Sequence, residues 1–130
     1  MFDHHLLEHP VLASVLRDTT ASPANPGAMA VECLKAVYMK FTRATDQWNI
    51  LSEDIGNLHR KYDSVKQLDN SVHLQLWDIE VSTKKSLCDL LFTYLLEVTD
   101  LMERMISEMQ RDKVLTPDFD LDSFMGQAFS

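Results

Sequence analysis

Residues 27–116, GAMAVECLKAVYMKFTRATDQWNILSEDIGNLHRKYDSVKQLDNSVHLQLWDIEVSTKKSLCDLLFTYLLEVTDLMERMISEMQRDKVLT, decide the fold. The stretch lies between Pro26 and Pro117. It holds no proline and, after Gly27, a single glycine, Gly56. These two residue types are the strongest breakers of local structure, so so long a run without them predicts extended helix.

Its apolar residues fall into two blocks. Trp48, Leu51, Ile55, Leu58, Tyr62 and Val65 recur at intervals of three and four, the spacing of a heptad seam. Val31, Leu34, Tyr38 and Phe41 carry that seam upstream, with polar Thr45 at the joint. The second block is Leu76, Ile79, Thr83, Leu87, Leu90, Tyr94, Val98, Leu101, Met105 and Met109, at intervals of three, four and four. That eleven-residue repeat is close to the natural helical period and predicts a helix that runs nearly straight. It reads as the main stripe of the second helix.

Asp69, Asn70 and Ser71 separate the blocks, and all three favour turns and caps. The expected architecture is therefore all-α. A long antiparallel, coiled-coil-like helical hairpin spans 28–113, with its tip near 69–71, and a helical bundle is completed around it. A tip at Asn70 sets Trp48 near Phe92, Tyr38 near Met102, and Cys88 opposite residue 52. One unbroken helix crossing Asp69 and pairing with a second chain is the rival. Val72 to Leu76 alternates apolar with polar, which is a strand signal, but the helical stripe continues through Leu76 and Ile79, so helix is expected there.

The rest of the chain divides into short segments. Residues 1–18 read as a short amphipathic helix. Pro10 suits a first helical turn, so the helix proper is expected to start near His9 or Pro10 and end near Asp18. Residues 19–27 read as a linker, with Asn25 or Gly27 capping the helix that follows. Residues 114–130 form an acidic-aromatic tail, in which Thr116 and Pro117 can open a short helix with a stripe of Leu121, Phe124, Met125 and Ala128. The tail either folds back or docks in a partner's groove.

Composition excludes several functions. The 130 residues carry a net charge of −8 with no basic cluster, which argues against nucleic acid and against an anionic membrane surface. No apolar run is long enough to cross a bilayer, and no secretory leader is evident, so no membrane insertion and a reducing, cytoplasmic setting are expected. Cys33 and Cys88 fall far apart in the hairpin register and read as reduced thiols. His5, Glu8 and His9 match the H-x-x-E-H pattern of inverted zinc peptidases. Pro10 argues against a settled helix there, and no third ligand or cleft is evident. The acidic residues of the second arm fit a solvated flank. No catalytic residue, metal or cofactor is assigned.

What remains is apolar girth. Besides its main stripe the second arm has Leu74, Trp77, Val81, Cys88, Leu91, Phe92, Leu95, Leu96, Met102 and Ile106. A helix apolar over most of its circumference is buried on several sides. The expected function is a non-catalytic protein–protein interaction subunit or adaptor, its partner another protein or a second copy of itself. Phe92, Leu95, Leu96, Met102 and Ile106 are the candidate contacts on the arm. Phe119, Leu121, Phe124 and Phe129 are those of the tail. The alternative is a small acidic chaperone that holds a secretion substrate or an unassembled subunit, a role that adaptable methionines would suit.

Overall fold

The computed structural model describes residues 2–18, 25–68 and 71–129. Among them every regular element is a helix: α1 His4–Leu7, α2 Pro10–Asp18, α3 Pro26–Arg60, α4 Tyr62–Gln67, α5 Ser71–Arg111 and α6 Leu121–Ala128. The alternating segment 72–81 lies within the 41-residue α5, so the helical period prevails there over the strand signal. The turn expected at 69–71 and most of the expected linker fall on residues 69–70 and 19–24, outside the described residues.

Local chemistry sets the helix starts. The Asp3 carboxylate accepts from the Leu6 N–H at 2.9 Å and caps α1. Pro10, with no N–H to leave unpaired, opens α2. At the start of α3 the Asn25 side chain accepts from the Ala28 N–H at 2.7 Å, and Pro26 takes the first helical position. Here Gly27 serves a close approach. A Cβ at that position would stand 3.2 Å from Asn25 Oδ1 and 3.5 Å from the Val114 side chain.

The C-terminus of α5 closes in the left-handed conformation, with Lys113 at φ 61°. The Val114 N–H reaches back to the Met109 carbonyl at 2.8 Å, and the Lys113 N–H to that of Gln110 at 3.1 Å. This is the bonding of a Schellman cap, with lysine where glycine is usual. The tail helix starts later than Thr116–Pro117 chemistry suggests. The Gln110 amide donates to the carbonyls of Thr116 and Pro117, at 3.0 and 3.2 Å, and holds them in a turn. Asp120 then precedes α6 and accepts from the Ser123 hydroxyl at 2.7 Å.

The chain forms two compact units. One comprises Met1–Thr42 and Glu97–Ser130. Its core takes Leu6 from α1, Leu12 and Val15 from α2, and Cys33, Leu34 and Val37 from α3. Val98, Leu101, Met105 and Met109 of α5 and Met125 of α6 complete it, and none of these side chains exceeds 3% exposure. The tail thus folds into this unit, and Phe129 stacks on Tyr38 with ring centres 6.2 Å apart.

The second unit is Arg43–Leu96. Its aromatic anchor is Trp77, whose indole N–H donates at 2.7 Å to the Leu58 carbonyl in the last turn of α3, a carbonyl that also accepts from the Lys61 N–H at 3.2 Å. Tyr62 and His59 pack on the same indole, at 4.9 and 5.9 Å between ring centres. Lys84 reaches Asp54 at 3.1 Å, and Cys88 Sγ lies 3.5 Å from Ser52 Oγ.

The inward face of α5 in this unit differs from the sequence expectation. Leu74, Trp77, Val81, Lys84, Cys88, Leu91 and Leu95 are buried or half-buried, at strict intervals of three and four; of the eleven-residue stripe in this unit only Tyr94 is half-buried. Leu76, Ile79, Leu87 and Leu90 of the eleven-residue stripe are instead 58%, 61%, 46% and 68% exposed. At 3.6 residues per turn the two stripes stand roughly 125° apart around the helix. The heptad turns inward because it supplies Trp77, whose indole finds a carbonyl, and its one lysine is tolerated because the ammonium finds Asp54. The other stripe has no large aromatic side chain until Tyr94.

Candidate interaction surface

The outward stripe is the most unusual feature of the second unit. Scattered exposed leucines are normal on a protein surface; several in a row on one helix face are not. Leu76, Ile79, Leu87 and Leu90 are aligned by helical spacing, with Thr83 at their centre. Gln75, Ser82 and Ser86, all exposed, flank them on one side without a charge. At its C-terminal end the stripe enters a groove of about 400 Å³, walled by Gln47 and Leu51 of α3 and by Leu87, Leu90, Leu91 and Tyr94 of α5. Partial burial holds the Tyr94 phenol above its ordinary pKa of 10.0, so this wall is uncharged at neutral pH. Ile50, 59% exposed, lies one helical turn from Gln47 on α3.

The residues expected from the sequence to touch a partner divide sharply. Phe92 and Leu96 are 52% and 57% exposed, and Leu95 is half-buried. Met102 is 4% exposed and belongs to the core of the first unit, where Ile106 is half-buried. In the tail Phe119, Leu121 and Phe124 are half-buried, with Phe119 and Phe124 packed at 5.4 Å, while Phe129 is 48% exposed. Sequence reasoning missed the stripe as a surface because it assigned Leu76, Ile79, Leu87 and Leu90 to the interior. The signal was present in the seven-residue spacing of Leu74, Trp77, Val81, Cys88, Leu91 and Leu95.

The first unit has a different feature, a cleft of about 680 Å³ whose walls include Asp3, His5, Glu103, Arg104, Glu108 and Arg111. Glu108, 9% exposed, accepts from the Asp3 N–H through both carboxylate oxygens, at 3.2 and 3.3 Å. Burial, and then the adjoining Asp3 carboxyl, push Glu108 above the ordinary glutamate range. The Leu6 N–H, and then the Glu108 side chain, hold Asp3 below its own. The arrangement anchors the N-terminal segment to α5: one carboxyl caps α1 while the other receives the backbone just before it.

The histidines are placed individually. His4 pairs with Glu8 at 2.8 Å on the surface, and His9 Nδ1 accepts from the Val11 N–H at 3.2 Å. α1 ends at Leu7, so no continuous helix presents His5 and His9 on one face. Among the described residues no three His, Cys, Asp or Glu side chains are grouped to hold a metal ion. Cys33 and Cys88 are free thiols. No helix of the described residues is long and apolar enough to cross a membrane. No protein-family model matches the chain, and no curated protein and no solved structure matches it.

Proposed function

We propose that this protein is a non-catalytic helical interaction subunit, and that it buries the outward apolar face of α5 in an assembly. The observation that carries this reading is the alignment of Leu76, Ile79, Leu87 and Leu90, each 46–68% exposed, along one face with an uncharged flank of Gln75, Ser82 and Ser86. Complete burial of a leucine-sized side chain is worth about 1.5–3 kcal/mol. Four such groups, each already partly covered, still offer several kcal/mol to any partner that covers them together.

The scaffold that presents this face is an antiparallel pairing of α3 and α5. Leu58 with Trp77, Asp54 with Lys84 and Ser52 with Cys88 are joined in descending order on one helix and ascending order on the other. Short links between antiparallel neighbours are the usual way to build a helical bundle. The methionines favour a fixed subunit over a chaperone. Met102, Met105 and Met109 are 4%, 0% and 0% exposed, so the surface on offer is branched aliphatic rather than adaptable thioether.

The test is the mass of the native assembly. The full chain, isolated under native conditions, is expected to run in a complex of fixed stoichiometry. Leu76→Glu with Leu90→Glu, at positions that face solvent, should return it to a monomer of unchanged helicity. A wild-type chain that is monomeric under those conditions, or a complex indifferent to both substitutions, overturns the reading.

A further inference from the structure

We infer that the occupant of this face is a second copy of the chain, docked antiparallel about a two-fold axis at Thr83. The inference rests on the interaction reading above and names its partner. The intervals from Leu76 through Ile79, Thr83 and Leu87 to Leu90 are three, four, four and three. The seam is the same read in either direction. An antiparallel two-fold pairing of such a seam sets apolar positions on apolar positions, since residue i meets residue j wherever j meets i. With Thr83 on the axis, Leu76 of one copy lies against Leu90 of the other, and Ile79 lies against Leu87. The smallest side chain of the seam then falls where the two helices cross on the axis.

The groove supplies the complementary shape. Its walls include Leu87, Leu90 and Tyr94, together with Leu51 of α3. In the antiparallel register Ile79 and Leu76 of the second copy are the side chains that reach this groove. Each copy thus offers projecting aliphatic groups at one end of the seam and a receiving groove at the other, which is self-complementarity of the kind a two-fold axis uses. A parallel pairing would instead set groove against groove and Glu80 against its own copy at the seam's edge. Like charges so placed are unfavourable.

The aliphatic stripe supplies about half the area of a stable dimer. Half- to two-thirds-exposed aliphatic side chains contribute roughly 100 Å² each, so the four give about 400 Å² per copy. Thr83, Tyr94, Ile50 and the uncharged flank carry the patch toward the ~800 Å² per partner of a stable dimer. The five seam positions carry no charge, and in the antiparallel register Glu80 at the seam's edge lies against Ser86 of the other copy and not against its own copy, which eases the usual obstacle for an acidic chain meeting itself.

Cross-linking of the purified full chain tests the register. Thr83→Cys with a short bifunctional maleimide should give a covalent dimer in high yield. Leu76→Cys alone should not, because two copies of residue 76 would lie about 21 Å apart along the axis, at ~1.5 Å per residue. Mixing Leu76→Cys with Leu90→Cys copies should restore the cross-link. The unsubstituted chain, with its native Cys33 and Cys88, sets the background, and circular dichroism confirms that each variant is folded. Leu76→Cys copies that cross-link efficiently to themselves would overturn the antiparallel register. A purified chain that is monomeric at tens of micromolar would overturn the second copy as occupant. If such a chain nonetheless enters a mixed assembly that Leu76→Glu with Leu90→Glu dissolves, the interaction reading stands without this inference.

Discussion

Val81 and Ile79 are two residues apart on α5, and the structure sends them in different directions. Val81 is 4% exposed and Ile79 is 61% exposed. Val81→Ala removes two buried methyl groups at about 0.8 kcal/mol each, and the space left behind adds up to about 1 kcal/mol. Ile79→Ala removes three carbons from a side chain only about two-fifths covered, which costs about 1 kcal/mol. Alanine is the better helix former by roughly 0.5 kcal/mol at both positions, so that gain nearly cancels in the comparison. Net losses of about 2 kcal/mol for Val81→Ala and about 0.5 kcal/mol for Ile79→Ala are expected. The assay is urea unfolding followed by circular dichroism, with the protein diluted until the midpoint no longer depends on concentration. Self-association then contributes to neither value. Equal slopes for the three proteins license the comparison. If Ile79→Ala costs as much as Val81→Ala in dilute solution, the eleven-residue stripe faces inward and the surface argued here does not exist.

Two further substitutions probe single sites. At Gly56 an added Cβ would meet only the Arg60 guanidinium, at 3.6 and 3.8 Å, so Gly56→Ala should raise stability by about 0.5–1 kcal/mol in thermal or urea unfolding. A loss would mean that another backbone crosses there. Glu108 is held above 4.5, so its favourable contribution is complete below the ordinary carboxyl range and is lost as pH rises through its folded-state value. Glu108→Gln keeps an acceptor for the Asp3 N–H but carries no proton to lose. Its stability relative to wild type should therefore improve from pH 4.5 upward. Asp3 is shifted the opposite way, so its contribution is lost only as pH falls below 3.8. A stability difference independent of pH between 4 and 7 would show that Glu108 ionises without penalty.

The all-helical character was legible because so long a run holds no proline and, after Gly27, only Gly56. Pro10 and Pro26, which open α2 and α3, mark helix starts through their own chemistry. The tail was less legible. Its alternation of acids and aromatics suits a partner's groove as well as an intrachain one, and only the 1% exposure of Met125 places it in the core of the first unit. The candidate surface was legible only as an excess. Counting apolar residues on α5 indicates that more than one neighbour is needed, but counting does not say which stripe is already covered.

Lys84 explains why the inward stripe was overlooked. It occupies a seam position between Val81 and Cys88, and a lysine there interrupts an otherwise apolar heptad. The eleven-residue stripe has only threonine at its weakest point and so looks the better seam. The fold tolerates this position because lysine is amphipathic: Lys84 is half-buried while its ammonium reaches Asp54 at 3.1 Å. A half-exposed ion pair of this kind is worth about 1 kcal/mol. It therefore does not drive the choice of face. It makes the choice tolerable, while Trp77 and its hydrogen bond to Leu58 drive it. A threonine-centred aliphatic stripe then remains facing outward. Had Lys84 been the outward residue and Thr83 the inward one, α5 would have one covered seam and a charged back, as an isolated two-helix scaffold requires. The chain has the opposite arrangement. Lys84 is turned to Asp54 of α3 while the aliphatic stripe is exposed, and on the function proposed above that stripe is what another molecule covers.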